Sequence, residues 1–309
     1  MSEFNQQMKN TEQDLEKNIE NNNIVNPPKK KSIWMDVWRR LRKNKAAMFG
    51  LGIVTTLVLM AIFADVIAPY TYAEQNLGNV RATPSGEHWL GTDEVGRDIL
   101  SRIIHGSRIS LQVGALVIIF SVATGGILGS IAGFYGGLVD NIIMRFTDII
   151  LAIPNLLLAI AVLAALGNSL RNVVIAVSIG SMPQYARILR ASVLTLRDQE
   201  FVEAARASGA NDFRLITRHI VPNALAPIIV QATLGVASAI LVVAGLSFLG
   251  IGLTPPSPEW GAMLSTGRNF ITQSPHLTIF PGLAIMIVIL GLNMFGDGLR
   301  DALDPKLKD

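Results

Sequence analysis

The sequence contains no cysteine, which excludes disulfides, thiolate metal ligands and cysteine nucleophiles. Charged residues are scarce, at 16% of 309, where a soluble domain would carry roughly 25%. Aromatic residues make up only 6%. No Gly-Lys pair occurs, so the phosphate-cradling Gly-Lys-Ser/Thr loop is missing, and any energy from nucleotide must arrive from another chain. His-Glu-x-x-His and Gly-x-Ser-x-Gly are absent as well, which removes metalloprotease and hydrolase chemistry. The histidines, His88, His105, His219 and His276, are scattered and are expected in loops. No metal site, cofactor or catalytic constellation is therefore expected. A net charge of only +3 gives no ground for a nucleic-acid partner.

What is present is apolar mass. Half of the residues are hydrophobic and the mean hydropathy is +0.43, with Leu, Ile, Val and Ala supplying most of it. A helix needs about 20 apolar residues to cross a bilayer. Six stretches approach that length: 46–67, 111–134, 149–166, 172–186, 225–253 and 279–295, the fourth being the weakest. The first begins behind a long polar tail and lacks the layout of a cleaved signal, so it is read as a retained span. Backbone groups cannot stay unpaired in lipid, and continuous runs do not suit a barrel, so each is expected to be helical. The predicted class is an all-α integral membrane protein with six transmembrane helices.

Basic residues orient the spans. Lys29, Lys30, Lys31, Arg39, Arg40, Arg42, Lys43 and Lys45 precede the first span and place it with its start in the cytoplasm. Six crossings return the C-terminus to the same side, where Arg300, Lys306 and Lys308 lie. The segment holding Arg187, Arg190, Arg197, Arg206, Arg214 and Arg218 also falls inside, and the loop 254–278 falls outside. The loop 70–108 strains the rule with Arg81, Arg97, Arg102 and Arg108. Its acids offset that charge, and Arg102 and Arg108 are candidates for capping an interfacial helix. The expected organisation is a disordered cytoplasmic tail at 1–33, an amphipathic segment with the first span at 34–68, an extracellular loop at 69–108, a transmembrane core at 109–301 and a short tail at 302–309. Trp34 and Trp38 suggest either a short helix on the membrane surface or a continuation of the first span.

Within the spans, Gly125, Gly129 and Gly133 strip one helix face of side chains, which permits close helix contact in lipid. Gly245, Gly250 and Gly252 would allow bending. Pro154 and Pro183 are expected to break spans three and four. Ser178, Gln184, Gln231 and Ser238 are candidate linings of a translocation pathway, and each could equally bond a neighbouring helix. Arg145 and Asp148, three apart, are expected to pair with each other.

The informative stretch is 196–223. It reads as helix, turn, helix: Glu203 to Ser208 favour helix, Gly209 suits the left-handed residue that ends one, Asn211 or Asp212 can cap the next, and Pro222 should close the unit. Ala204, Ala205, Ala207 and Ser208 leave a knobless face that another protein can approach, and Phe213, Leu215 and Ile216 offer apolar knobs. Glu203-Ala204-Ala205, Gly209 and Pro222 together resemble the EAA loop of permease subunits of ABC importers, although His219-Ile220-Val221-Pro222 departs from that family's ending at two apolar positions. Gly91 to Asp98 with Gly106 to Leu111, Pro258-Glu259-Trp260-Gly261 and Gly296 to Pro305 are similar to the dipeptide/oligopeptide/nickel subfamily, in particular its second permease subunit. The resemblance spans nearly everything from Trp34 onward. It implies a type I ABC importer transmembrane domain with no enzymatic activity of its own. It also implies a coupling loop at 187–223 in which Glu203, Ala204, Ala205, Gly209, Asp212, Phe213 and Pro222 meet an ATPase. The implied partners are a second homologous permease subunit, ABC ATPase subunits, an extracellular solute-binding protein, a peptide substrate and the lipid bilayer of the cell membrane. A nickel or other small-solute permease of the same family, and a secondary transporter driven by an ion gradient, remain open at this stage. No internal repeat of the kind the latter would need is evident.

Overall fold

The computed structural model describes residues 33–303. Residues 1–32 and 304–309 lie outside it, and with them most of both expected tails; the side chain of Trp34 is also outside the described residues. Two compact units divide between Arg40 and Leu41. Among the described residues there are helices and turns but no strand, only an isolated bridge between Thr92 and Asp98.

The chain forms α1 (Ile33–Lys43), α2 (Lys45–Ile62), α3 (Ile99–Tyr135), α4 (Gly137–Leu151), α5 (Asn155–Leu166), α6 (Leu170–Leu196), α7 (Glu200–Ala207), α8 (Leu225–Phe248), α9 (Trp260–Gly267) and α10 (His276–Leu303). Shorter helical turns lie between them. Asn44 separates α1 from α2, and its side chain accepts from the Ala47 amide at 3.1 Å. The amphipathic segment is thus a helix with its own bounds, and a capped helix start separates it from the first span.

Among the described residues four helices are long and apolar enough to cross a membrane: α2, α3, the run Asp212–Phe248 and α10. A fifth crossing is available if α4 and α5, which meet at 89°, count as one broken span. The break falls at Pro154, whose missing N–H and following ring constraint end the α4 ladder as expected. The expected fourth span lies within the 27-residue α6, and Pro183 does not break it. Ser178, Ser181, Gln184 and Arg187 dilute its apolarity; much of α6 is buried among other helices and so needs less apolar surface.

α3 and α6 run side by side in the same direction. A Cβ on Gly125 would lie 2.4 Å from the Met182 carbonyl oxygen, one on Gly129 2.2 Å from that of Ala186, and one on Gly133 2.9 Å from that of Arg190. Only glycine allows this approach, in line with the knobless face read from the sequence. Ser121 and Ser178 knit the same seam: Ser121 donates to the Ser178 carbonyl at 3.2 Å and Ser178 to the Val117 carbonyl at 3.1 Å. A second seam joins α2 to α10, where a Cβ on Gly50 would sit 2.6 Å from the Gly291 carbonyl oxygen and one on Gly298 would overlap Ala47. α8 lies between the two sets. One buried cluster is built on α3, α5, α6 and α8, including Val117, Val177, Tyr185 and Leu246. The other is built on α2, the start of α3, α8, α9 and α10, including Ile103, Ile240, Trp260 and Val288. Gly250, at φ +81, ends α8 instead of bending it.

Candidate functional site: the elbow after α6

Two structured regions lie at opposite ends of α3. The one at its start is a polar lock. Asp98 caps α3, accepting from the Ser101 amide and hydroxyl, both at 2.7 Å, and its other oxygen meets His88 Nδ1 at 3.0 Å. Arg97 donates to Asp93 at 2.6 Å and Glu94 at 2.8 Å. Arg102 is buried and donates to the carbonyls of Tyr72, Pro256 and Ser257. It therefore fastens two loops and does not cap a helix as expected. Arg108 does cap one: it donates to the last carbonyls of α2, those of Ala61 at 2.9 Å and Ile62 at 3.2 Å, and pairs with Asp65 at 3.1 Å. The hydrogen bond from Arg108, and then its charge, hold the Asp65 carboxyl below its ordinary range. Trp260 is fully buried and donates to the Ile103 carbonyl at 3.1 Å. Glu259 caps α9 through the Gly261 and Ala262 amides; burial raises its carboxyl, and the two amides act against that rise. Of the four histidines expected in loops, only His88 lies in one: His105 lies in α3, His219 in the π-helical stretch Leu215–Ile220, and His276 begins α10. No cluster of metal-ligating side chains occurs among the described residues.

The region at the other end of α3 is built on α7. α6 ends at Leu196 and α7 starts four residues later at Glu200. Glu200 and Glu203 occupy the first turn and Arg206 the last, each at the favourable pole of the helix dipole. Val202 is the buried anchor and Ala205 is half-buried, while Glu203, Ala204, Ala207 and Ser208 face outward. Gly209 adopts φ +85. Its amide donates to Arg206 at 3.0 Å, and the Ala210 amide reaches back to Ala205 at 3.1 Å. This pair of bonds is a Schellman motif, the stop that a left-handed residue permits. A Cβ at Gly209 would meet nothing within 4 Å, so the glycine is required by backbone conformation alone.

Asn211 then caps the next segment, accepting from the Arg214 amide at 2.9 Å. Pro222 does not close the unit as expected. A single turn, Asp212–Arg214, widens into a π-helical stretch, Leu215–Ile220, then tightens into a 3₁₀ turn, Val221–Ala224, and continues directly into α8. Pro222 lacks an amide hydrogen and its ring crowds the preceding turn, so the ladder changes pitch instead of stopping. Leu215, Ile220 and Ala224 are buried. Asp212, Phe213 and Pro222 are exposed, Phe213 at 76%. Phe213 rims an apolar groove of about 410 Å³ that includes Ile127, Ile131, Leu189, Ile216 and Val221.

Three arginines fix α6 where it approaches α7. Arg187 pairs with Asp148 at 2.6 Å. The Arg145–Asp148 pair expected from sequence is therefore not formed; Arg145 is exposed. Arg190 forks onto Asp140, Nε to Oδ1 and Nη2 to Oδ2, both at 2.5 Å. Arg197 donates to the Gly133 carbonyl at 3.0 Å at the end of α3. Of the candidate pathway residues, Ser178 is buried in the α3–α6 seam, Gln184 and Ser238 are exposed, and Gln231 is half-buried.

Comparison with known proteins gives a consistent outcome. Residues 125–309 match the family described as the binding-protein-dependent transport system inner membrane component, and residues 32–84 match the N-terminal TM domain of oligopeptide transport permease C. The chain is 52% identical over 277 residues to a dipeptide transport system permease protein of Alkalihalophilus pseudofirmus, covering 90% of this chain and 91% of that one. It is 45% identical over 286 residues to a glutathione transport system permease protein of Escherichia coli, covering 92% and 94%. In fold it is similar to a chain of the MetNI methionine ABC transporter solved in inward-facing conformations, with a TM-score of 0.53 and 18% identity over 67% of this chain and 98% of that one.

Proposed function

Because the chain belongs to the family of binding-protein-dependent transport system inner membrane components, as a permease subunit whose ATPase is a separate subunit, we propose that it forms half of a pore importing di- or oligopeptides and that α7 with its elbow receives the motion of the ATPase. The observation that carries the reading is the form of α7. It is a short helix with one fully buried anchor, Val202, and an outward face of Glu203, Ala204, Ala207 and Ser208 closed by Gly209. Small side chains let a foreign surface come close, and Asp212 and Phe213 supply a charge and an apolar knob beside it. The other half of the pore is a second homologous permease subunit, and an extracellular solute-binding protein delivers the peptide.

In this reading both termini and the 187–223 loop lie in the cytoplasm, on the strength of the basic residues before α2 and around α7. ATP draws two ATPase subunits together, their grooves carry the two coupling loops with them, and the pore opens to the loaded binding protein. Glu203, Ala204, Ala205, Gly209, Asp212, Phe213 and Pro222 transmit force and do no covalent chemistry. Gln184, Gln231 and Ser238 are the polar side chains best placed to line the path, since Ser178 is occupied between helices. The peptide assignment is supported by the names of the relatives, one a dipeptide and one a glutathione permease. Glutathione is itself a small peptide, so the two agree on chemical class.

The test is a Glu203→Lys, Gly209→Val double substitution in the assembled importer. Insertion is expected to be retained, while ATP-dependent dipeptide uptake and co-purification of the ATPase are lost. Unchanged uptake refutes the coupling role. Parallel uptake of dipeptide, glutathione and nickel by the unaltered importer decides the cargo.

A further inference from the structure

Arg187 and Arg190 of α6, and Arg197 just after its last residue, fall within about 80° on one helix face at about 100° per residue. Two of them hold α4, Arg190 near its start through Asp140 and Arg187 near its end through Asp148, and Arg197 holds the carbonyl end of α3. The Arg190–Asp140 contact is distinct from the others because it is a two-pronged fork and partly shielded, Asp140 being 13% and Arg190 32% exposed. Such forks fix orientation as well as distance. The backbone around α4 shows what the fork does. α3 joins α4 through Gly136 and Gly137, both with positive φ, +65 and +53, and a Cβ at Gly137 would meet nothing. Two consecutive glycines are the most permissive joint a chain can have. Covalent connection therefore leaves the direction of α4 loosely defined; the fork fixes its first turn, while the single-pronged Arg187–Asp148 contact holds its exposed far end. In the other direction, from α7 to α8, the chain passes through π and 3₁₀ turns, whose ladders are less regular than that of an α-helix.

We propose that Arg190 and Asp140 are positioning residues of the transport cycle: their fork clamps α4 to the end of α6, so that displacement of α7 swings α6, the α3 terminus and α4 as one body while α8 yields. The proposal rests on the reading that α7 takes up the push of an ATPase. It adds that the push leaves α7 through α6 into α4, and that the bend between α4 and α5 is what moves.

The test uses the complete importer in liposomes, with both permeases, the ATPase subunits and the binding protein, and a dipeptide as the probe. The readout is peptide transported per ATP hydrolysed. Asp140→Asn and Arg190→Lys, the second keeping the charge but not the fork, are each expected to lower this ratio about tenfold, a typical coupling energy between sites, with basal ATP hydrolysis retained. The swapped pair, Asp140→Arg with Arg190→Asp, is expected to recover part of it. A purely structural contact would lower uptake and hydrolysis together and leave the ratio unchanged. That result, or a swap no better than either single variant, overturns the proposal. Glu203→Lys run alongside separates the two levels. If it uncouples while Asp140→Asn does not, the clamp is wrong and the docking role stands; if Glu203→Lys has no effect, the docking role itself fails. Should Asp140→Asn not assemble, the absence of native cysteine allows Asp140→Cys with Arg190→Cys bridged by a short thiol-specific crosslinker. With a bis-methanethiosulfonate as the crosslinker, whose two disulfide bonds a reductant cleaves, coupling present when bridged and lost on reduction supports the clamp, and coupling indifferent to the bridge refutes it.

Discussion

Gly126 and Gly129 lie three residues apart in α3 and should respond to the same substitution with opposite signs. Alanine at either position gains helix propensity, about 0.8–1.0 kcal/mol. The surroundings differ. At Gly126 the nearest atom to an added Cβ is Leu189 Cδ2 at 3.5 Å, an ordinary contact. At Gly129 it is the Ala186 carbonyl oxygen at 2.2 Å, and the two next nearest atoms are also backbone. A carbonyl in the middle of α6 cannot rotate away as a side-chain tip can, so α3 and α6 would have to part by roughly 1 Å. Gaps of that size forfeit a quarter to a half of the dispersion well for each atom pair along the seam, and overpacking of this kind costs about 1–3 kcal/mol. Gly126→Ala should therefore stabilise by up to about 1 kcal/mol. Gly129→Ala should destabilise by up to about 2 kcal/mol once its own propensity gain is subtracted. Both variants share that gain, so their difference isolates the steric part. Thermal denaturation of the detergent-purified permease pair, read by aggregation or tryptophan emission, measures the ordering. Equal midpoints, or Gly129→Ala the more stable, would show that the two helices are not held backbone to backbone at this point.

Two other outcomes follow from the structure. Gly209→Ala should weaken the Schellman stop by about 1–2 kcal/mol through its left-handed backbone; Gly209→Asn should cost less, because asparagine tolerates that region, and limited proteolysis after Arg206 in the permease pair lacking ATPase reports both. Asp65, whose carboxyl is held below its ordinary 3.8 by Arg108, adds stability that is present above that ordinary value and lost as pH falls through the depressed one; hydrogen exchange of the amides at 62–68 should quicken over that acid range, and Asp65→Asn should remove the pH dependence.

The sequence disclosed what depends on composition and local spacing. Apolar runs marked the spans, glycines four apart marked the α3–α6 seam, and Gly209 followed by Asn211 marked the elbow. It disclosed less where the partner is distant along the chain. Asp148 has Arg145 three residues away, but it takes Arg187, thirty-nine residues on. Gly50 meets Gly291 across two helices, and neither belongs to a regular repeat, so the α2–α10 seam carried no local signal. The charges in 70–108 looked like a balance of signs, yet burial converts Asp93, Arg97 and Arg102 into a lock for two loops. Pro183 and Pro222 show the limit of treating proline as a stop: where neighbouring helices already bury the backbone, the chain absorbs the lost bond by changing pitch or by simply continuing.

α3 is one unbroken helix of 37 residues. At 1.5 Å per residue it is about 56 Å long, nearly twice the roughly 30 Å depth of a bilayer's hydrocarbon. It therefore works as a measuring rod, one tip set in the lock around Arg102 and the other beside Arg197. A rod of that length turned by only about 5° about one tip carries the other through about 5 Å. A modest tilt near the elbow is thus enough to register as a gate-sized shift among the loops at the far tip, with no joint along the way where the movement could be lost.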